Sequence, residues 1–252
     1  MLRVSGLTLA YGDEPVLEDV ELAVAEGEFA TLLGPSGSGK TSVLRAVTGL
    51  TAPRAGRIEL AIPKHEVGLL FQDDALLPWR TARENVALGL RIRGAAKAAA
   101  LAEAESWLAR LGLAGFGDRY PSRLSGGQRK RVAIAQVLAL RPRLLLMDEP
   151  FASLDAIVRT RLTQELVGWV ERERLTVLLV THDLEEALSV SDAVHVLTQG
   201  PRARVRARYR VPIPRPRDLL KARLHPEFGP LLDRLWRDLE AEVAVPVREA
   251  AQ

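Results

Sequence analysis

Residues 34 to 41 read GPSGSGKT, and this stretch restricts the backbone more than any other. Glycine at Gly34, Gly37 and Gly39 admits positive φ and close approach of other atoms, so the segment can curl into a tight loop with its N–H groups turned inward. The apolar run FATLL stands before it and the helical pattern TSVLRAVTGL after it, which makes the loop a link between a buried strand and a helix. In that context G-x-x-x-x-G-K-[ST] cradles phosphate. Gly34, Pro35, Ser36, Gly37, Ser38, Gly39 and Ser42 are the expected contacts of a nucleoside triphosphate. Lys40 is expected to reach its outer phosphates, and the Thr41 hydroxyl to ligate Mg2+.

Further apolar runs follow: VGLLF at 67–71, LLLMD at 144–148, VLLVT at 177–181 and AVHVL at 193–197. Apolar character without alternation means burial on both faces, and its interleaving with amphipathic helices predicts a mainly parallel α/β sheet. LRVSGLTLAY and RIELAI alternate instead and predict an antiparallel β edge. From 76 to 140 the texture is rich in Ala, Leu and Arg, with RIRGAAKAAALAEAESWLARLGL as the longest stretch, which predicts an inserted helical subdomain. The expected organisation is one domain over 1–252: a core at 1–75 and 141–200, the helical insert at 76–140, and a C-terminal hairpin and helix at 201–252.

In that last segment Arg202, Arg204, Arg206, Arg208 and Arg210 recur at every second residue, so on a strand they share one face. A Gly-Pro turn allows pairing with AVHVLT, and FGPLLDRLWRDLEAEV reads as an amphipathic closing helix. The arginine face either meets anionic headgroups or an acidic partner, or is a solvated face that discourages edge pairing; the second is the simpler reading.

Composition narrows the chemistry. With 252 residues and 47% hydrophobic content the chain has ample material for a core. Cysteine is absent and the four histidines are scattered, so disulfides and thiolate or zinc sites are not expected. A net charge of +3 gives no reason to expect nucleic acid. The opening residues lack a charged-then-apolar leader, and no uncharged apolar run approaches the roughly 18–20 residues of a membrane helix. A soluble or peripheral protein is therefore expected.

Strand ends supply the other reactive groups. LLLMDEP places Asp148 where a carboxylate can serve Mg2+ and Glu149 where one can polarise a water attacking the γ-phosphate. His182, after VLLVT, is a candidate contact of the γ-phosphate or of the backbone around that water. Gln72, after VGLLF, offers a neutral amide to Mg2+ or the water. In LSGGQ at 124–128, Ser125, Gly126 and Gly127 open the helical run QRKRVAIAQVLAL. They can either receive an anion or form an ordinary N-cap.

In chain order, GPSGSGKT, Phe71 with Gln72, LSGGQ, LLLMDEP, SLD at 153–155 and Thr181 with His182 resemble the Walker A, Q-loop, signature, Walker B, D-loop and switch histidine of ATP-binding cassette (ABC) nucleotide-binding subunits. The resemblance runs through nearly the whole chain and implies a P-loop NTPase (RecA-like) core. It implies an ATPase using ATP and Mg2+, with Glu149, His182 and Gln72 catalytic, and Thr41, Gln72 and Asp148 at the metal. It also implies that Tyr11 stacks on adenine. Ser125 and Gly127, with Gly126 and Gln128 of the same signature, would then act on ATP held by the P-loop of a second subunit, in a homodimer closed on two ATP molecules; Asp155 is a further implied nucleotide-site residue. The implied partners are an integral-membrane permease and a solute-binding protein, without nucleic acid, at the cytoplasmic face of the inner membrane.

LFQDDALLPWRTARENVALGL and PRPRD are similar to the importer group for nitrate, sulfonates, taurine and pyrimidine precursors. The alternative is a soluble, non-transport ABC ATPase acting as a mechanical or regulatory module, but the long coiled coils or second cassette of such relatives are missing. A P-loop kinase would leave LSGGQ and SLD unexplained. Two positions depart from the family pattern: Gln136 stands in AQVL where ARAL is usual, and PRARV lacks a customary glycine. Neither removes a catalytic group.

Overall fold

A computed structural model describes residues 1–243. In chain order its elements begin with β1 (Leu2–Tyr11), β2 (Glu14–Val24), β3 (Phe29–Leu33), α1 (Lys40–Thr48), β4 (Ala55–Leu60) and β5 (Val67–Leu70). The helices α2 (Ala82–Ile92), α3 (Lys97–Arg110) and α4 (Gly126–Leu138) follow, then β6 (Leu144–Asp148) and α5 (Ala156–Glu173). The chain continues through β7 (Thr176–Thr181), α6 (Leu184–Val190), β8 (Ala193–Leu197), β9 (Val205–Arg210), α7 (Leu219–Ala222) and α8 (Phe228–Val243). Two compact units result among the described residues, 1–61 with 167–243, and 62–166.

In the first unit the alternating runs form a three-stranded antiparallel sheet in the order β2-β1-β4. Its apolar face carries Leu2, Val4, Leu7 and Leu9; the phase change between Val4 and Leu7 marks a register shift. There Gly56 has φ +88, and a Cβ on it would lie 2.3 Å from the Gly6 carbonyl oxygen, so only glycine fits. The runs without alternation behave differently. Every residue of β3, β7 and β8 is buried, and β3 pairs in parallel with both neighbours, as expected for strands covered on both faces.

The C-terminal segment forms the expected hairpin: β9 runs antiparallel to β8, with His195 opposite Arg208. Arg206, Arg208 and Arg210 are exposed while Val205, Ala207 and Tyr209 are half-buried. Arg202 and Arg204 precede the strand, and Arg202 has φ 60, so the stripe is shorter on β9 than its spacing suggests. Glu18, Asp238 and Glu28 pair with Arg202 at 3.6 Å, Arg206 at 3.6 Å and Arg208 at 2.8 Å, in keeping with a solvated, ion-paired face. The opposite face packs under α8, where Phe228, Leu231 and Leu235 meet Leu188, Val194 and Val196, and the Tyr209 hydroxyl donates to Asp238. The PRPRD run closes on the N-terminal end of β3. Asp192 accepts from the Phe29 N–H at 2.8 Å and from Arg217 at 3.1 Å, with Arg215 beside it. His195 is buried; desolvation, aided by the Arg208 charge, pushes its imidazole down to about 4.

In the second unit β5 and β6 pair in parallel, and α2, α3 and α4 form the helical part. The long stretch from 91 to 113 is not one helix: α2 ends at Ile92, Gly94 takes φ +91, and α3 starts at Lys97. Left-handed backbone at Gly94 is cheap for glycine and cannot continue an α-helix. Among the described residues, no helix is long and apolar enough to cross a membrane.

Candidate functional site

The loop expected to cradle phosphate, residues 34–39, sits in the first unit, between β3 and α1. Leu33 pairs with Thr181, so the loop and His182 leave neighbouring parallel strands at their C-terminal ends, where open α/β sheets hold ligands. Gly39 is the N-cap of α1 with φ 89 and no side-chain cap. A Cβ there would lie 2.7 Å from Val16 Cγ1 and 2.8 Å from Leu17 Cδ2, so β2 closes the back of the loop and only glycine passes. Val16 and Leu17 escaped the sequence reading because their role is a long-range contact. Lys40, 5% exposed, folds back to donate to the carbonyls of Gly34 at 2.8 Å and Pro35 at 2.7 Å. Ser38 Oγ is buried with no hydrogen-bond partner among the described residues. A helix N-terminus without a side-chain cap, an orphaned buried hydroxyl and a lysine on the same loop fit a polyphosphate.

Tyr11, at the end of β1, is 44% exposed, and its hydroxyl shares a 3.1 Å hydrogen bond with Ser42 Oγ on α1. That bond draws the phenol below its usual range. The exposed ring therefore stands beside the first turn of α1, a placement open to a base. His182 is exposed.

The second unit holds the remaining residues. Leu70 pairs with Met147, so Gln72 and Asp148 follow neighbouring parallel strands. Asp148 is 8% exposed, and Glu149, half-buried, has φ 39. A left-handed glutamate directly after a strand is strained, and such strain gathers at functional positions. Gln72 is exposed. Asp155 Oδ1 accepts from the Val158 N–H at 3.0 Å, capping the start of α5.

At LSGGQ the N-cap reading holds within the single chain. Ser125 Oγ accepts from the Gln128 N–H at 3.3 Å, and Gln128 Oε1 accepts from the Ser125 N–H at 2.9 Å, a capping box. Ser125 is exposed. The pairing of LLPW with ENV also has a cause here. Asn85 is fully buried, its Oδ1 accepts from the Leu77 N–H at 2.8 Å, and its Nδ2 donates to the carbonyls of Leu77, Arg80 and Thr81. One amide thus pins the segment that presents Trp79, 70% exposed.

No group of three or more His, Asp or Glu able to hold a metal exists among the described residues. Thr41, Gln72 and Asp148 offer hard oxygen donors of the kind that share Mg2+ with phosphates.

Comparison with known proteins gives consistent relatives. Residues 17–152 match the family described as ABC transporter. The aliphatic sulfonates import ATP-binding protein SsuB 1 of Paracoccus denitrificans is 43% identical, covering 96% of this chain and 94% of that protein. The taurine import ATP-binding protein TauB of Escherichia coli O157:H7 is 44% identical, over 80% of this chain and 81% of its own. Among solved structures, the dimeric post-hydrolysis state of the ATP-binding cassette MJ0796 bound to ADP and Pi matches with a TM-score of 0.72 at 31% identity, covering 84% of this chain and 99% of that one.

Proposed function

The chain belongs to the ABC transporter family, and we propose that it is the ATP-hydrolysing subunit of an importer for sulfonate-, taurine- or nitrate-like solutes. The observation that carries this is the phosphate loop between β3 and α1, with Ser38 Oγ unpaired and Lys40 buried on the loop carbonyls, in a chain 43% identical to a sulfonate import ATP-binding protein.

The residues take the following roles. The N–H groups of residues 36–42 bind the phosphates, Lys40 turns from the Gly34 and Pro35 carbonyls to the outer phosphate oxygens, and Tyr11 stacks on the base. Thr41, Gln72 and Asp148 would hold Mg2+, which would supply charge neutralisation at the phosphates. Glu149 accepts the proton of the attacking water, and His182 holds the water in line. Ser125, Gly127 and Asp155 contact ATP on a second copy of the chain, so that the nucleotide is part of what joins the dimer. The segment from Leu77 to Trp79, held by Asn85, receives a permease at the cytoplasmic face of the cell membrane. A solute-binding protein and that permease select the solute.

The test is Glu149→Gln. It should bind ATP like the wild type, lose about 10³-fold in turnover, and accumulate as an ATP-dependent dimer in sizing chromatography with light scattering. Turnover near the wild-type rate would contradict the role of Glu149. Recovery of the tagged variant with a multi-span permease from its own detergent-solubilised membranes supports the importer; recovery with soluble proteins alone removes it and leaves the ATPase.

A further inference from the structure

The roles above leave Lys130, the charged residue most deeply buried in α4, without a task. Its side chain is 1% exposed, with Nζ 3.0 Å from Asp74 Oδ1 and donating to the Gln72 carbonyl at 2.9 Å. Its neighbour Arg129 places Nε 3.2 Å from the other Asp74 oxygen and donates through Nη1 to the Leu124 carbonyl at 2.9 Å. An ammonium removed from water is tolerable only with such partners, so these contacts bind tightly in position. Directly after Asp74, Ala75 has φ 51, a left-handed backbone that persists only where its surroundings hold it. Gln72 therefore leaves a loop pinned twice to the residues that follow LSGGQ.

We infer that Lys130 and Asp74 are positioning residues for Gln72: the buried ion pair and the bond to the Gln72 carbonyl hold the loop on α4, so that the signature helix sets where the Gln72 amide stands. The inference rests on the assignment of Gln72 to Mg2+. A glutamine side chain has a limited reach from its own Cα, so displacing the pinned carbonyl displaces the amide. Groups that orient a metal ligand from behind commonly govern metal affinity by 10- to 100-fold. A packing role alone would lower stability and leave Mg2+ dependence untouched.

The experiment is equilibrium binding of a non-hydrolysable ATP analogue to the full chain, in EDTA and in Mg2+. The variants are Lys130→Met, Asp74→Asn, Gln72→Ala and the double variant Lys130→Met with Gln72→Ala. Affinity in EDTA should stay within about twofold of wild type, while the gain in affinity on adding Mg2+ falls about tenfold in Lys130→Met. Asp74→Asn, which keeps the bond to the Gln72 carbonyl, should lose less. The double variant should be no weaker than Gln72→Ala alone, because the two residues act through one amide. A wild-type Mg2+ gain in Lys130→Met, or losses that add in the double variant, overturns the positioning role and leaves Gln72 in place. An unchanged Mg2+ gain in Gln72→Ala overturns the assignment of Gln72 and this inference together. Should Lys130→Met fail to fold, Asp74→Asn and its pairing with Gln72→Ala decide the question in the same way.

Discussion

α1 and α4 both begin on glycine- and serine-rich sequence, and they treat their first turns in opposite ways. At α1 the cap is Gly39, which has no side chain to offer; the nearby Ser38 hydroxyl is buried and unpaired. At α4 the cap is Ser125, bonded reciprocally with Gln128. A helix start without a side-chain cap keeps its positive end for an anion, whereas a capped one has satisfied part of that demand already. The contrast matches the proposed division of labour. In that proposal the α1 loop takes the phosphates of its own nucleotide, while LSGGQ meets a phosphate brought by a second copy and would exchange its own cap for it.

The comparison breaks or sharpens most through Lys40. Lys40→Met should reduce ATP hydrolysis by about 10³-fold, whereas Ser125→Ala should leave nucleotide affinity of the dilute, monomeric chain at the wild-type value. Titration with a fluorescent ATP analogue beside a phosphate-release assay separates the two, and equal losses of affinity would erase the contrast.

The glycines come next. Gly39→Ala forces a Cβ to 2.7 Å from Val16 Cγ1 at φ +89 and should cost about 1–3 kcal/mol. At Gly126 the nearest atom to an added Cβ is Leu154 Cδ2 at 3.6 Å, so Gly126→Ala should stay within about 0.5 kcal/mol of wild type. Urea unfolding of both variants reads this directly, and a larger loss at Gly126 would reverse the assignment of strain.

For the serines the order inverts. Ser125→Ala removes a cap and should lower stability by about 1 kcal/mol. Ser38→Ala removes a hydroxyl that has no partner among the described residues, so its midpoint should hold or rise while ATP affinity falls. The smallest effect belongs to Gln128→Ala, about 0.5 kcal/mol for one half of the capping box. A silent Ser125→Ala in the same denaturation series would mean that the cap seen in the chain contributes nothing to stability.

Much of this was legible beforehand because it depends on neighbours in sequence. FATLL, LLLMD, VLLVT and AVHVL became strands buried on both faces, whereas VGLLF became β5 with Val67 and Leu69 only half-buried; the alternating runs became an antiparallel edge, and FGPLLDRLWRDLEAEV a helix over its full length. In the stretch from 91 to 113 summed propensity showed the helical character but not where the helices divide, which φ +91 at Gly94 decides. Lys130 left a faint trace: it shares the i, i+4 register of Ile134 and Leu138, both buried, which put a cation on the inner face of α4. Nothing in that register named Asp74 as its partner.

By itself, then, the sequence determined the loops, caps and strand characters, together with the ordered motifs that identify the family, since each is a demand of a few adjacent residues on their own backbone. Only the tertiary structure decided which distant groups satisfy the buried polar ones: Asn85 on Leu77, Asp192 on Arg217, Lys130 on Asp74 and the Gln72 carbonyl. Periodicity records that a side chain faces inward. Its partner is chosen by which elements packing brings against it, and a buried charge or amide must then find its match there.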